Sequence, residues 1–508
     1  MEFSRELAVT AVGPIPGLAV VDLPVHGDGR GWFKENWQRS KMVALGLPDF
    51  GPVQNNVSFN GAAGTTRGIH AEPWDKYVSV AAGRIFGAWV DLREGPTFGN
   101  VFTAELDPSR AVFVPRGVGN AFQTLEDATA YTYLVNDHWS ADAQARYTYL
   151  NLADATAAIP WPIPLERAEL SDRDRGHPAL ADVVPMAPRR TLVLGAGGQL
   201  GAALRGAFAG NGAVEFAGRD DLDLADPAAF ARRDWSAYTA VVNAAAHTAV
   251  DAAETPEGRR TAWAANVAGV SRLARACLEH GITLVHVSSD YVFDGDGVDE
   301  NGGIGGNGGD TGHGEDEPPS PLGVYGQTKA AGDAVVSVLP RHYVVRTSWV
   351  VGSGANFVRT MAALADRGAE PRVVEDQTGR LTFADTLAAG IAHLLDSGAP
   401  YGTYNITNDG GALSWADVAR EVFAARGRPR SAVRGVSTRE YDDGVAAAAD
   451  RASAGANSAT GDGAGAGGTR RAPRPARSLL RLEKIKAAGF DPPDQLDELR
   501  RYLEAGEG

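Results

Sequence analysis

The sequence predicts two different folds in one chain, an all-β sandwich or barrel followed by an α/β domain with a parallel, doubly wound sheet. From Val53 to about Val135, short runs rich in Val, Phe, Tyr and Trp are broken roughly every eight to twelve residues by Gly-, Pro- or Asn-rich turns, which is typical of all-β domains. From Thr191 onward, apolar strands alternate with helical segments, which favours a parallel sheet. The chain has 508 residues, enough for about three domains that each bury a core.

A Pro-punctuated stretch marks the boundary between the two folds. Pro185 and Pro188 interrupt the polar segment that precedes the first α/β strand. We therefore predict a first domain over residues 1–185, a linker over residues 186–190 and a second domain over residues 191–508. Two low-complexity segments, near residues 295–314 and 444–469, are rich in Gly, Ala, Ser, Asp and Asn. Such compositions bury too little apolar surface to build a core, so we expect surface insertions.

Four apolar runs outline the sheet of the second domain. Strands are predicted at Thr191–Leu194, Ala240–Asn243, Thr283–Val287 and Tyr343–Arg346. Leu200–Phe208 has apolar residues at helical spacing and follows the first strand closely, as in a βαβ unit. This alternation predicts a Rossmann-type doubly wound domain, and we expect a small carboxyl-terminal substrate lobe after it.

Composition and charge exclude several classes of protein. The net charge of -15 at pH 7 would repel a nucleic-acid backbone. A single cysteine, Cys277, rules out an intrachain disulfide and fits a reducing compartment. The chain has no run of about 18 uncharged apolar residues, and Met1–Gly17 lacks a basic region followed by an apolar stretch. We therefore expect a cytoplasmic protein with neither a nucleic-acid nor a membrane partner.

A histidine-centred motif lies in the β-rich domain. A metal-binding cupin site needs several converging ligands, commonly a His-x-His pair and a later histidine. His70 has no histidine two residues on, and Asn120 stands where the second motif would carry one, so the ligand count predicts no cupin metal. His70 lies beside Arg67, Lys76 and, on neighbouring strands, Tyr131 and Tyr133, a set that suits proton transfer beside an anion. A lone histidine in a β-barrel is, however, more often a hydrogen-bonded core residue.

This domain resembles the dTDP-4-dehydrorhamnose 3,5-epimerases, which have a cupin or jelly-roll fold, over nearly all of residues 1–185. The resemblance rests on Asp28–Glu35, Val53–Asn56, Arg67–His70, Val90–Arg93, Pro96–Gly99, Tyr133–Trp139 and Leu170–Asp174. It implies that His70 is the catalytic base, oriented by Asp174, that Lys76 stabilises an enolate, and that Tyr133 delivers a proton from the opposite face. It also implies substrate contacts from Arg30, Phe33, Glu35, Gln54, Asn56 and Arg67. Trp139 stands where a second tyrosine is common, and the gap between His70 and Lys76 is short.

The chemistry of epimerisation explains these residue types. A proton α to the C4 ketone of the sugar becomes removable only if a cation or a donor holds the developing oxyanion. Inversion needs an acid and a base on opposite faces of the ring. Arginine forks suit the pyrophosphate of a nucleotide sugar.

Two motifs of the second domain indicate a cofactor-dependent reductase. A glycine-rich turn, Gly195–Gly201, follows a predicted strand and opens a predicted helix, so the backbone can approach a pyrophosphate closely. Tyr325 and Lys329 are four residues apart on one helix face, where an ammonium can lower the phenol pKa for proton donation. Each motif alone is weak; their order, with Asn243 and Ser289 between them, is more specific.

That order identifies the second domain as similar to the extended short-chain dehydrogenases, and its details resemble the dTDP-4-dehydrorhamnose reductases. The matching segments are Val242–Asp251, Ser289–Phe293, Arg346–Val350, Asp376–Gly379, Arg474–Pro475 and Ser478. The resemblance implies that Tyr325 is the acid, that Lys329 tunes it and binds the ribose, that Ser289 polarises the ketone, and that Asp290 and Trp349 contact the sugar. Cofactor contacts are expected from Gly195, Gly198, Gln199, Leu200, Gly201, Arg219, Asp223, Leu224, Asn243, Ala244, Ala245, Ala246, Tyr325 and Lys329.

The second strand bears on the choice of cofactor. The carboxylate that would bind the adenosine ribose is absent at its end, and Arg219 is present, which favours a 2′-phosphate although Asp220 and Asp221 follow. We predict NADPH, with NADH also usable. The family implies a possible Mg²⁺ at a dimer contact, without a site that the sequence locates, and a homodimer.

Together the two halves predict a bifunctional enzyme of dTDP-L-rhamnose biosynthesis. The first half would epimerise dTDP-4-dehydro-6-deoxy-D-glucose at C3 and C5, and the second would reduce the C4 ketone of dTDP-4-dehydro-L-rhamnose with NAD(P)H. Three alternatives stay open: the same chemistries on another dTDP-6-deoxyhexose, a reductase-like half that serves as a regulatory module, and a first half that only binds ligand. Fold alone decides none of these.

Overall fold

The computed structural model describes residues 5–296, 312–445, 447 and 471–505, so most of the two predicted insertions, 295–314 and 444–469, lies outside the described residues. The chain forms two compact units, Met1–Pro188 and Arg189–Gly508. The predicted linker over residues 186–190 spans the boundary between these units. Met186 forms a β-bridge with Arg93 in the first unit, and Arg190 begins the first strand of the second.

The first unit is built almost entirely from antiparallel strands. They are β1 Ala8–Ala11, β2 Ala19–Asp22, β3 Val25–Asp28, β4 Gly31–Lys34, β5 Gln54–Asn60, β6 Thr66–Ala71, β7 Lys76–Ala82, β8 Ile85–Asp91, β9 Val101–Leu106, β10 Arg110–Val114, β11 Val118–Thr124, β12 Thr129–Val135 and β13 Thr148–Tyr149. Three short helices accompany them: α1 Arg39–Ala44, α2 Ala141–Gln144 and α3 Asp172–Arg175.

Two sheets of this unit pack face to face as a β-sandwich. One has six strands in the order β1-β2-β10-β7-β12-β5, the other has five in the order β13-β6-β11-β8-β9, and β3 and β4 form a separate hairpin. Val78 and Tyr131 of the first sheet share a buried cluster with Trp89 and Phe122 of the second. The shared cluster places the core of this unit between the two sheets, and β8 is buried along its whole length.

The second unit contains the parallel strands and the longer helices. Its strands are β14 Arg190–Leu194, β15 Val214–Ala217, β16 Tyr238–Asn243, β17 Thr283–Val287, β18 His342–Arg346, β19 Val350–Val351, β20 Arg372–Val374, β21 Thr378–Gly379, β22 Thr382–Phe383, β23 Gly402–Asn405, β24 Leu413–Ser414, β25 Arg434–Val436 and β26 Arg477–Ser478. Its helices include α4 Gln199–Ala207, α5 Pro227–Ala231, α6 Pro256–Trp263, α7 Val270–Glu279, α8 Val324–Ser337, α9 Phe357–Asp366, α10 Ala384–Ser397, α11 Trp415–Ala425, α12 Glu483–Ala487 and α13 Gln495–Ala505, with a π-helical turn over Ala264–Gly269.

A six-stranded parallel sheet with the order β15-β14-β16-β17-β18-β23 forms the centre of this unit. Leu192 and Val241 pack with α7 on one face, whereas Val193 and Val242 pack with α4 and α10 on the other, so the sheet is doubly wound. The strand order reverses between β14 and β16. Ligands of such sheets bind in the crevice at the carboxyl ends of the strands beside this switch point.

A smaller lobe lies toward the carboxyl end of the second unit. It has short two- and three-stranded sheets, and α9, α11 and α13 share one apolar cluster around Val358, Phe423 and Leu499. Among the residues that the structure describes, no helix is both long and apolar enough to span a membrane.

Candidate active sites

In the first unit, the central feature is a hydrogen-bonded pair of His70 and Asp174. His70 lies on β6, and Asp174 lies on α3, whose first turn is fixed because the Ser171 side chain accepts a hydrogen bond from the Asp174 backbone. His70 Nε2 is 3.0 Å from Asp174 Oδ1. Burial would raise the pKa of Asp174, but the hydrogen bond and charge of His70 outweigh it and lower that pKa. An ionised Asp174 accepts a hydrogen bond from Nε2–H, and in that tautomer the lone pair of the neutral ring is on Nδ1.

Lys76 and Tyr133 lie on the opposite sheet, at the start of β7 and near the end of β12. Lys76 Nζ is 2.6 Å from Glu72 Oε1, in an ion pair whose two side chains are buried, and 5.6 Å from the centre of the Tyr133 ring. Burial and the Glu72 carboxylate raise the pKa of Tyr133 to about 12, although Arg67 opposes this. Tyr133 therefore holds its proton at neutral pH, as an acid must.

Aromatic rings connect the two sides of this site. The Tyr149 ring lies 5.6 Å from that of His70 and 5.9 Å from that of Tyr147, and the Tyr147 ring lies 5.5 Å from that of Trp74. Trp74 Nε1 in turn donates to Glu72, the partner of Lys76. His70, Lys76 and Tyr133 thus border one aromatic-lined region.

The predicted nucleotide contacts divide into two groups. Gln54 and Asn56 lie on β5, which pairs with β12 so that Asn56 stands opposite Tyr133. Arg67 begins the run to His70 and donates to Asn60. By contrast, three residues lie in or directly after the β3–β4 hairpin, and their described contacts stay local: Arg30 pairs with Asp28, Glu35 pairs with Lys41, and Phe33 is 69% exposed.

Sequence reasoning missed one residue of this site, His177. Its side chain is 6% exposed, its ring centre lies 5.3 Å from that of His70, and its Nε2 is 3.9 Å from Asp174 Oδ1. Burial and then the neighbouring His70 lower its pKa, despite the opposing charge of Asp174. The sequence signal that could have identified His177 is its position three residues after Asp174, just past the end of α3. Asn120, which replaces the cupin histidine, stands opposite His70 and accepts from Tyr131.

In the second unit, two loops meet at the switch point of the sheet. Gly195 has φ +80°, and a Cβ on it would lie 2.8 Å from the backbone of Ala244. A Cβ on Gly201 would lie 2.3 Å from the Gly195 oxygen. Gly198 precedes α4 with no side-chain cap. The glycines therefore let the turn close against the Asn243–Ala246 loop, and the free amides at the start of α4 suit a pyrophosphate.

The other predicted cofactor residues surround this turn in different ways. Gln199 accepts a hydrogen bond from Gly352, Arg219 is exposed after β15, and Asp223 accepts from the Ala225 backbone. Leu200 and Leu224 are buried in the core, so only their backbone is open to a cofactor.

Ser289, Tyr325 and Lys329 converge beside the same crevice. Ser289 follows β17, and its hydroxyl donates to Asp290 at 2.9 Å and interacts with Tyr325. Lys329 Nζ donates to the Val287 oxygen at 2.8 Å. Burial lowers the pKa of Lys329 to about 8, although Asp333 opposes this.

The expectation that Lys329 lowers the pKa of Tyr325 is wrong for this structure. Burial and then the Asp290 carboxylate raise the pKa of Tyr325. The Lys329 ammonium donates to the Val287 oxygen. Tyr325 is thus protonated at neutral pH. Asp290 is itself buried, which raises its pKa to about 6.

A buried network of polar side chains surrounds Lys329. Asn243 Nδ2 donates to His286 Nδ1 at 3.1 Å, and His286 Nε2 lies 3.3 Å from Lys329 Nζ. Burial and then the Lys329 charge hold the pKa of His286 well below its usual value, so this ring is neutral. Arg346 donates to Asp333 at 3.2 Å beside them.

Trp349 is held rigidly next to this site. Its ring stacks on Trp415 with centres 3.7 Å apart and planes 13° apart, and its backbone has φ +43°. A Cβ on Gly379 would lie 3.0 Å from the Trp349 ring. The small lobe therefore presents a fixed indole, the arrangement expected of a residue that flanks a sugar.

The folds and sites define two classes of enzyme: a β-sandwich with a histidine–carboxylate acid–base site, and a short-chain dehydrogenase-type reductase with a Ser-Tyr-Lys site. A family model described as dTDP-4-dehydrorhamnose 3,5-epimerase matches residues 13–182, and one described as RmlD substrate binding domain matches residues 189–458. The chain belongs to both families, the dTDP-4-dehydrorhamnose 3,5-epimerases through its first unit and the RmlD-type dTDP-4-dehydrorhamnose reductases through its second.

Individual relatives are similar to one unit each. The protein RmlC homolog of Streptococcus pyogenes serotype M6 is 50% identical over 192 residues, which cover 37% of this chain and 96% of that protein. The dTDP-4-dehydrorhamnose reductase of Mycobacterium tuberculosis is 40% identical over 256 residues, 50% of this chain and 80% of that protein. The solved structure of the Bacillus anthracis dTDP-4-dehydrorhamnose reductase in complex with NADP is 28% identical, with a TM-score of 0.51, and covers 63% of this chain and 99% of its own.

Proposed function

We propose that this chain catalyses two successive steps of dTDP-L-rhamnose formation. The first unit epimerises dTDP-4-dehydro-6-deoxy-D-glucose at C3 and C5, and the second reduces the C4 ketone of the product. One observation carries the proposal: the same chain holds a complete acid–base set in its first unit and a complete Ser-Tyr-Lys set in its second. Intact catalytic side chains in both units disfavour a purely regulatory or ligand-binding role for either.

In the epimerisation, His70 Nδ1 takes the proton at C3 or C5, and the bond electrons move to the C4 oxygen. The Lys76 ammonium stabilises that oxyanion, and its ion pair with Glu72 holds it in place. Tyr133 returns a proton to the other face, which inverts the carbon. Asp174 holds the His70 ring in the tautomer that this role requires.

In the reduction, a bound nicotinamide cofactor supplies hydride to C4 of the sugar. The residues present fit such a cofactor. Gly195 and Gly201 form a tight turn, here called the glycine cradle, that has no room for a Cβ, and no side chain caps the backbone amides at the start of α4. Tyr325 gives its proton to the C4 oxygen, and the Ser289 hydroxyl turns from Asp290 to donate a hydrogen bond to that oxygen. The Lys329 ammonium, which donates to the Val287 oxygen, supports the phenolate that forms through its charge and not through a direct hydrogen bond.

We propose NADPH as the preferred cofactor, with NADH also usable. Arg219 is exposed just after β15, where a 2′-phosphate would lie. The Asp221 carboxylate accepts a hydrogen bond from the Gly218 backbone amide. The solved reductase with NADP supports this choice. The possible Mg²⁺ and the cytoplasmic location stay predictions.

We also propose a homodimer formed through the first unit. Edge strand β5 exposes Val57 and Phe59, each 67% exposed, and the β3–β4 hairpin exposes Phe33. Exposed apolar groups of this kind mark an interface. A hairpin from a second copy would bring Arg30, Phe33 and Glu35 to a substrate that they do not meet in their own chain. Analytical ultracentrifugation of Phe33→Asp should show a shift toward monomer; an unchanged dimer contradicts this.

The central test supplies dTDP-4-dehydro-6-deoxy-D-glucose with NADPH, and in parallel with NADH. We expect oxidation of the cofactor, faster with NADPH, and NMR spectra of dTDP-L-rhamnose. A different dTDP-6-deoxyhexose would support the alternative pathway, and no oxidation of either cofactor would refute the proposed reductase activity.

A further inference from the structure

Three potential metal ligands meet in the epimerase unit at the catalytic histidine. His70, Asp174 and His177 each offer one ligand atom, and these atoms all lie within 4.8 Å of one another. The Asp174 oxygen lies 3.0 Å from His70 Nε2 and 3.9 Å from His177 Nε2. In a tetrahedral Zn²⁺ site with bonds of about 2.1 Å, neighbouring ligand atoms are roughly 3.4 Å apart. Small side-chain rotations therefore suffice to close the three atoms around one ion.

His177 is the observation that points to a ligand. Its two ring nitrogens are shielded from solvent and lack a well-formed hydrogen bond, with only a weak interaction with the Leu150 backbone. A buried polar group without a good partner is costly, and a bound ion would satisfy it. The epimerisation described above uses His70 and Asp174 but gives His177 no task.

We propose that His70, Asp174 and His177 form a binding site for a borderline divalent cation of the Zn²⁺ class, and that the bound cation inhibits epimerisation. Two imidazoles and one carboxylate suit Zn²⁺, Co²⁺ and Ni²⁺, whereas Mg²⁺ and Ca²⁺ require oxygen ligands. The His70 side chain is 32% exposed, so a water can reach the ion and complete the coordination. This set differs from the His-x-His cupin motif, and its ion is an inhibitor rather than a resident cofactor.

Inhibition follows from the proton on the His70 ring. The ion takes the Nε2 lone pair and displaces the Nε2–H···Asp174 hydrogen bond, so the single ring proton of the neutral imidazole moves to Nδ1 by exchange with solvent. Nδ1 then has no lone pair to accept a proton from the sugar. This second part rests on the proposed role of His70, whereas the binding itself rests on the geometry alone.

The experiment titrates the full chain with ZnCl₂ by calorimetry, and with CoCl₂ by visible absorption. We expect one site per chain that His177→Asn weakens by at least ~tenfold. His280→Asn, a change at an exposed histidine of the reductase unit, should leave this site intact. MgCl₂ should not compete. Equal Zn²⁺ affinity in wild type and His177→Asn would overturn the site.

Activity assays then separate the two parts of the inference. Zn²⁺ should stop solvent deuterium incorporation at C3 and C5 in the wild type, EDTA should restore it, and reduction of a pre-epimerised ketone by the same sample should continue. Zn²⁺ bound at His177 with deuterium exchange unchanged would overturn the inhibition and not the site. If His177→Asn fails to fold, the Co²⁺ spectrum of the wild type decides: d–d bands of an octahedral all-oxygen site would contradict two imidazole ligands.

Discussion

Replacing Asp174 by Asn isolates the contribution of the ring tautomer to epimerisation. The Asp174 carboxylate accepts from His70 Nε2 at 3.0 Å. An Asn amide that donates to Nε2 would force the ring proton onto Nδ1, the atom that must take the proton of the sugar. Side-chain volume and the Ser171 cap change little. Loss of a general base costs about 10²–10⁴-fold in rate, which corresponds to about 3–5 kcal/mol of barrier.

The assay is the rate of deuterium incorporation at C3 and C5 of the 4-keto sugar in D₂O. Asp172→Asn is the matched control, because Asp172 lies on the same short helix with its side chain exposed. Reduction of a pre-epimerised ketone by the second unit normalises the concentration of active chain between samples. Exchange within about threefold of the wild type in Asp174→Asn, or an equal loss in Asp172→Asn, would refute the role of the tautomer.

Three further predictions concern single residues. Glu72→Gln leaves the buried Lys76 charge unpaired, so urea unfolding of the first unit should show a loss of about 3–5 kcal/mol; exposed Glu94→Gln should show none. Because the pKa of Lys329 is about 8, its ammonium is present below this pH and lost above it. We therefore expect kcat/KM for reduction to fall as the pH rises above about 8. A kcat/KM that stays constant well above pH 8 would contradict this role of Lys329. Gly195→Ala places a Cβ 2.8 Å from the Ala244 backbone at φ +80°, so titration of the variant with NADPH should show weaker binding while the rate of epimerisation is unchanged. Equal NADPH affinity in the variant and the wild type would contradict a cofactor role for the Gly195 turn.

Local sequence pattern was sufficient to predict four strands of the central parallel sheet, at Thr191–Leu194, Ala240–Asn243, Thr283–Val287 and Tyr343–Arg346. The strand Thr283–Val287 was predicted with the bounds that the structure has, because a short buried apolar run in a parallel sheet has little ambiguity. The Gly195 turn and the Tyr325–Lys329 pair follow from spacing along one strand–helix unit or one helix face. Such features depend on neighbours in sequence.

Features that depend on distant contacts could not be predicted in this way. His177 lies next to His70 only because α3 packs beside β6, over a hundred residues later in the chain. The direction of the Tyr325 pKa depends on burial and on Asp290, neither of which the four-residue spacing contains. Met186 pairs with Arg93 through a long-range bridge that the Pro-punctuated local pattern does not contain.

The measurement that tests the account most directly separates and then recombines the two activities. His70→Asn should lose deuterium exchange at C3 and C5 and retain reduction of a supplied epimerised ketone, whereas Tyr325→Phe should do the reverse. Mixing the two variants with dTDP-4-dehydro-6-deoxy-D-glucose and NADPH should restore formation of dTDP-L-rhamnose, because the intermediate diffuses between sites. Two independent catalytic sites in one chain are contradicted if His70→Asn also abolishes reduction of the supplied ketone, or if the mixture stays inactive while each variant retains its own half-reaction.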